Sequence, residues 1–167
     1  MRPGADNSQR SDLAKPLLFG TDSTPPLVAM PDTSCPLCDH ADETVLWSNA
    51  NHRVIWIDDT GYPGFCRVIL NAHVREMTDL SASERQELMA VVFAVEAAVR
   101  EVVRPDKINL ASLGNRVAHV HWHVIPRWVD DPKFPDSIWS AVRRDAPSRA
   151  IPEHLPAQLA AALAARL

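Results

Sequence analysis

The segment Val117-Ala118-His119-Val120-His121-Trp122-His123-Val124-Ile125 constrains the fold of this chain more than any other stretch of its 167 residues. Side chains on an extended strand alternate between two faces. The pattern therefore sets His119, His121 and His123 on one face and Val120, Trp122 and Val124 on the other. The apolar set can pack on a core. The three imidazoles then form a row spaced roughly 7 Å apart, from a ~3.3 Å rise per residue.

The neighbouring sequence supplies the partners such a strand needs. Residues 44–47 and 53–57 read as short strands around a Ser48-Asn49-Ala50-Asn51 turn, and CRVIL at 66–70 as a third. Asp58 to Gly64 is a loop of turn formers. Ser81 with Glu84 three residues later forms a capping box. It opens a helix in which Leu88, Val91, Val92, Val95, Ala98, Val99 and Val102 recur at helical spacing. This apolar face can serve a core or an interface. Pro105 follows the helix end. Residues 107–113 and 117–125 read as strands around Gly114-Asn115, and 156–167 as a short terminal helix. Strands segregated from helices predict an α+β fold on a mainly antiparallel sheet.

Three units are expected along the chain: a proline-rich extension over 1–33, a folded domain over 34–140, and a tail with a short helix over 141–167. Of 14 prolines, only Pro63 and Pro105 fall between residues 37 and 125. A net charge of −4 argues against a general nucleic-acid binder, which needs a basic field. No apolar run of about 18 residues predicts a membrane span. Three cysteines cannot build a disulfide framework and no secretory signal is visible, so a reducing, cytoplasmic setting is expected.

Three imidazoles on one strand face admit three readings. They can be surface residues, supply two ligands of a zinc site, or do covalent chemistry. Imidazole titrates near neutrality, and its neutral form is a nucleophile toward phosphorus. Cys35-x-x-Cys38 has the spacing of a zinc knuckle, and a redox pair or two reduced thiols are the alternatives. His40 and His52 compete as further ligands.

The HVHWHVI run resembles the histidine triad signature, three histidines alternating with hydrophobic residues. CPLC at 35–38, GYPGFCRVILNAHVREMTDLS at 61–81 and DKINLASLGNRVAHVHWHVIPRW at 106–128 extend the likeness. The chain is similar to histidine triad proteins, above all to a bacterial branch labelled diadenosine tetraphosphate hydrolase-like. That resemblance implies a sheet of about five antiparallel strands with one long and one short helix, paired as a homodimer. It implies cleavage at the α-phosphate of a nucleotide, either a dinucleoside polyphosphate or a nucleoside phosphoramidate. His121 would be the nucleophile, His123 would assist the leaving group, and His119 would support the nucleophile. Asn109, Gly114 and Asn115 would contact phosphate and Asp58 the ribose. Zinc-containing relatives further imply structural zinc on Cys35, Cys38, His73 and His119. Two departures stand out. Phe65 follows Gly64 where many members have a fourth histidine, and Asn115 stands for the usual glutamine. A non-catalytic nucleotide sensor or interaction module is the alternative function.

Overall fold

The computed structural model of the chain describes residues 32–59, 61–147 and 149–167. The expected N-terminal extension lies almost wholly outside them. Five strands form one sheet: β1 (Thr44–Ser48), β2 (His52–Trp56), β3 (Cys66–Leu70), β4 (Lys107–Ala111) and β5 (His121–Arg127). Their spatial order is β1-β2-β3-β5-β4, and every neighbouring pair is antiparallel. Helix α1 (Ala82–Val103) lies between β3 and β4, and α2 (Leu155–Ala164) closes the chain. The expected α+β architecture is the observed one.

Helix α1 starts where its sequence signals it. The Ser81 side chain accepts from the Glu84 amide while Glu84 accepts from the Ser81 amide, so two unpaired donors are satisfied. Leu88, Val91, Val92, Val95, Ala98 and Val99 turn inward and are buried. They meet Val54, Cys66, Val68, Val120 and Val124 from one face of the sheet. Each leucine or valine so buried is worth about 1.5–3 kcal/mol. The apolar face of α1 is therefore consumed by the core. Leu155, Leu159 and Leu163 bring one stripe of α2 into the same cluster.

The strand bearing the histidines is shorter than the alternation suggests. It begins at His121 instead of Val117. The His119 amide donates back to the Val117 carbonyl, and the Val120 amide donates to Val74, so the ladder cannot form earlier. Likewise β4 ends at Ala111, short of the expected Leu113.

The other face of the sheet carries Arg53 and Ile55 on β2, Arg67 and Ile69 on β3, and His121, His123, Ile125 and Arg127 on β5. No helix covers it. The Cys35–Cys38 loop packs on Ile55 and Ile69 at one end. Tyr62, Phe65 and Ile138 pack with Ile125 at the other. Tyr62-Pro63-Gly64-Phe65 is a tight turn closed by the Phe65 amide on the Tyr62 carbonyl at 3.0 Å. Gly64 has φ +92°, and a Cβ there would meet Val103 at 2.6 Å, so only glycine fits.

One polar residue sits awkwardly on the core side. His52 is buried, and among the described residues neither ring nitrogen has a hydrogen-bond partner. Burial pushes its pKa below the usual 6.5. The unfolded chain therefore takes up this proton first as the pH falls. Stability is complete above about pH 6.5 and drops below it, by up to ~1.4 kcal/mol per pH unit. We expect His52→Leu to hold or raise the melting temperature at pH 7 and to flatten its decline between pH 7 and 5. Melting curves across that range test this; an acid slope identical to wild type would refute the assignment.

Candidate active site and metal centre

Cys35, Cys38, His73 and His119 converge, with their donor atoms all within 4.8 Å of one another. His119 Nδ1 lies 3.5 Å from Cys35 Sγ and 3.7 Å from Cys38 Sγ, and His73 Nδ1 lies 3.4 Å from Cys38 Sγ. Tetrahedral zinc, with Zn–S of ~2.3 Å and Zn–N of ~2.05 Å, has S···N edges of about 3.6 Å. The cluster thus has zinc dimensions, and four protein ligands leave no place for a catalytic water, which makes the site structural. His119 Nε2 donates to the Leu70 carbonyl at 2.7 Å, which leaves Nδ1 free to bind metal. Arg53 braces the knuckle from behind: it donates to the Leu37 carbonyl and, by two nitrogens, to Glu43. His40 is exposed beside Glu43, and His52 lies on the opposite face of the sheet, so neither joins the cluster. Cys66, buried in β3 with its thiol pushed up to about 12 by burial, also stands apart.

The triad does not form one evenly spaced row. The His119 ring turns into the metal cluster, while the His121 and His123 rings lean together with centroids 4.9 Å apart. His121 Nδ1 lies 2.6 Å from the His119 carbonyl oxygen. A carbonyl can only accept, so Nδ1 carries the proton and Nε2 carries the lone pair. Burial lowers the pKa of His121, and that of His123 to about 3. The Arg67 charge adds to both shifts. Both rings are thus neutral near pH 7, so His123 can donate a hydrogen bond but does not stand as an imidazolium. Ser112 fixes the strand by donating to the His121 carbonyl at 2.9 Å.

The remaining expected residues lie on β4 and on loops of the sheet. Asn109 is on β4, and its Oδ1 accepts from Arg127 at 2.7 Å, which leaves its NH2 as a donor. Gly114 and Asn115 are exposed on the loop between β4 and β5. Gly114 lines a cavity of about 300 Å³ with Thr78, Ser112 and His119. Asp58 is exposed just beyond β2. The segment after β5 is pinned by a buried Arg127–Asp131 ion pair at 2.7 Å, and Lys133 donates its amide to the same carboxylate. That fixes Trp139, half exposed, edge-on to His123 with centroids 5.1 Å apart.

The HIT domain family matches residues 39–129, more than half of the chain. The chain belongs to the HIT family. Its fold matches solved HIT proteins, among them one from Bradyrhizobium japonicum at TM-score 0.61 and 26% identity, covering 75% of this chain and 90% of that one. A zinc-bound HIT protein from Mycobacterium smegmatis matches at TM-score 0.57 and 27% identity, covering 79% and 94%. A protein named AP-4-A phosphorylase from Mycobacterium tuberculosis is 36% identical over 78 residues. That alignment covers 43% of this chain and 40% of the relative, less than half of its length. Among the described residues no helix of this HIT protein is long and apolar enough to cross a membrane.

Three arginines on the site face take no role from the sequence, although Arg67 and Arg127 lie in the segments that carry the resemblance. Arg53 and Arg127 read as ordinary strand positions until the fold pairs them with Glu43 and Asp131. Arg67 is found only through the β3–β5 register, which sets it opposite His123. For the metal centre, we expect purified protein to hold one zinc per chain by elemental analysis. Cys38→Ser should lose most of it and lower the melting temperature by roughly 5–10 °C, about 2–3 kcal/mol. Full zinc retention in that variant would count against the four-ligand site.

Proposed function

We propose that this HIT protein cleaves nucleotides at the α-phosphate, as a hydrolase or nucleotidyl transferase, through a nucleotidyl-histidine on His121. The observation that carries this reading is the 2.6 Å contact between His121 Nδ1 and the His119 carbonyl. It orients a neutral imidazole with Nε2 as the attacking atom, which is what attack on phosphorus requires. The buried His119 ring holds that carbonyl in place through its bond to Leu70. Zinc, when bound, supplies only rigidity to this arrangement.

The remaining groups take roles that follow from charge. Negative charge accumulates on phosphoryl oxygens in the transition state, so donors must surround them. The His123 ring, the Asn109 amide and the backbone N–H groups of Gly114 and Asn115 are our assignments for that task. Asp58 is assigned to the ribose hydroxyls. The exposed Trp139 face offers a nucleobase or a second nucleoside a stacking surface at the mouth of the site. The relative named AP-4-A phosphorylase supports a dinucleoside polyphosphate as the substrate class.

His121→Ala is expected to lower kcat by at least ~10³-fold on a dinucleoside polyphosphate while the fold, read by melting temperature, survives. Wild type quenched without acid should carry a covalent nucleotide on His121 by mass spectrometry. Undiminished turnover in His121→Ala would exclude this mechanism. Tight nucleotide binding with no turnover and no adduct in wild type would favour a sensor.

A further inference from the structure

Three arginines project from the site face of the sheet, and two are fully engaged. Arg53 gives Nε and Nη2 to Glu43, Nη2 also to the Leu37 carbonyl, and Nη1 to Asn71 at 3.3 Å. Arg127 gives Nε and Nη2 to Asp131 and Nη1 to Asn109. Arg67 differs. Among the described residues its side chain makes no hydrogen bond or ion pair, although it is largely covered and its Nε is sealed from solvent. Glu43, the carboxylate whose charge reaches it, is already held by Arg53 at 2.6 and 2.8 Å. A half-buried guanidinium without an acceptor is costly, and an anionic oxygen would relieve that cost.

The register says where such an anion would lie. Arg67 pairs directly with His123, and the next row sets Ile69 opposite His121. Cross-strand partners have Cβ atoms about 4.5–5.5 Å apart. The cation therefore stands beside His123, one pleat from the nucleophile. His123 Nδ1 is itself buried without a partner. Phe65, two residues before Arg67, packs against the same histidine, its ring centroid 5.7 Å from that of His123.

We infer that Arg67 pairs with the departing phosphate chain, so that the enzyme selects substrates whose leaving group is a polyphosphate over those that release an amine. This rests on the phosphoryl-transfer reading above and narrows its substrate class. In the first step a bond forms between His121 Nε2 and the α-phosphorus, and the bridging P–O bond breaks. Its electron pair stays on the oxygen of the leaving phosphate, where Arg67 meets the new charge. A water oxygen then attacks the α-phosphorus, the P–N bond breaks with its pair returning to Nε2, and the water proton passes to solvent. An amine leaving group departs protonated and brings no anion for Arg67 to hold.

The test compares kcat/KM for wild type, Arg67→Gln and Arg67→Lys on diadenosine tetraphosphate and on adenosine 5′-phosphoramidate. We expect Arg67→Gln to lose roughly 10²- to 10³-fold on the tetraphosphate, the cost of removing one oxyanion donor. On the phosphoramidate the loss should be under about tenfold, which also shows that the variant folds. Arg67→Lys should recover part of the tetraphosphate rate, because it restores the charge but not the planar fork. Equal losses on both substrates, or none on either, would overturn the role of Arg67 and leave the His121 mechanism standing. No turnover of either substrate by wild type, with no adduct on His121, would remove both.

Discussion

His119 is the point on which the site depends, because three of its atoms do three jobs. Its Nδ1 faces the cysteine sulfurs, its Nε2 donates to the Leu70 carbonyl, and its own carbonyl accepts from His121. The knuckle, strand β3 and His121 are therefore tied through one residue. A ring held at both nitrogens cannot rotate, so the peptide that carries it is fixed as well. A metal held by the cluster would thus stiffen the carbonyl that fixes the His121 tautomer. The same residue explains why β5 starts late. Its amide turns back to Val117, which lifts the His119 ring out of ladder register and sends it toward the cluster.

The sheet divides labour between its faces. One face is closed by α1 and α2, and its valines and leucines carry the stability. The other holds only small apolar patches at its two ends, under the knuckle and under the Tyr62 turn. Between them lie charged and polar groups that cost free energy to cover. Arg53–Glu43 and Arg127–Asp131 answer that cost with paired charges, the second almost wholly buried. Burial alone would raise the Asp131 pKa, but the Arg127 guanidinium holds it below the usual range. Breaking such a pair typically costs 3–5 kcal/mol, so the segment carrying Trp139 is held firmly.

Local patterns made much of this legible in the sequence. The capping box at Ser81, the 3.6-residue period of α1 and the two-residue period around His121 are short-range signals, and each survives folding. The Cys35, Cys38, His73 and His119 set was readable by resemblance, and the fold brings those residues together. What could not be read is what long-range pairing decides. Nothing near residue 119 announces that Val74 and Leu70 capture its neighbourhood. Nothing near Asn109 says that Arg127, 18 residues away, takes its Oδ1. Among the described residues Arg67, unlike Arg53, has no carboxylate paired with it, and that depends on register.

The charge arrangement reconciles an acidic chain with an anionic ligand. The whole chain carries −4, so its long-range field does not attract phosphate. On the site face, two arginines are neutralised by carboxylates, and the His121 and His123 imidazoles are held neutral. Among the described residues that leaves Arg67 as the uncompensated cation of this face, opposite His123. A single charge in a partly covered groove acts over a few ångströms with a lower effective dielectric than water, where it is worth several times its value at the surface. Neutral imidazoles are the corollary. A protonated His123 would repel Arg67 and could not share a ligand with it unless the ligand arrived first. An arrangement with one fixed cation and two neutral rings leaves the Nε2 lone pair of His121 free and places the positive charge of this face one row away, at Arg67.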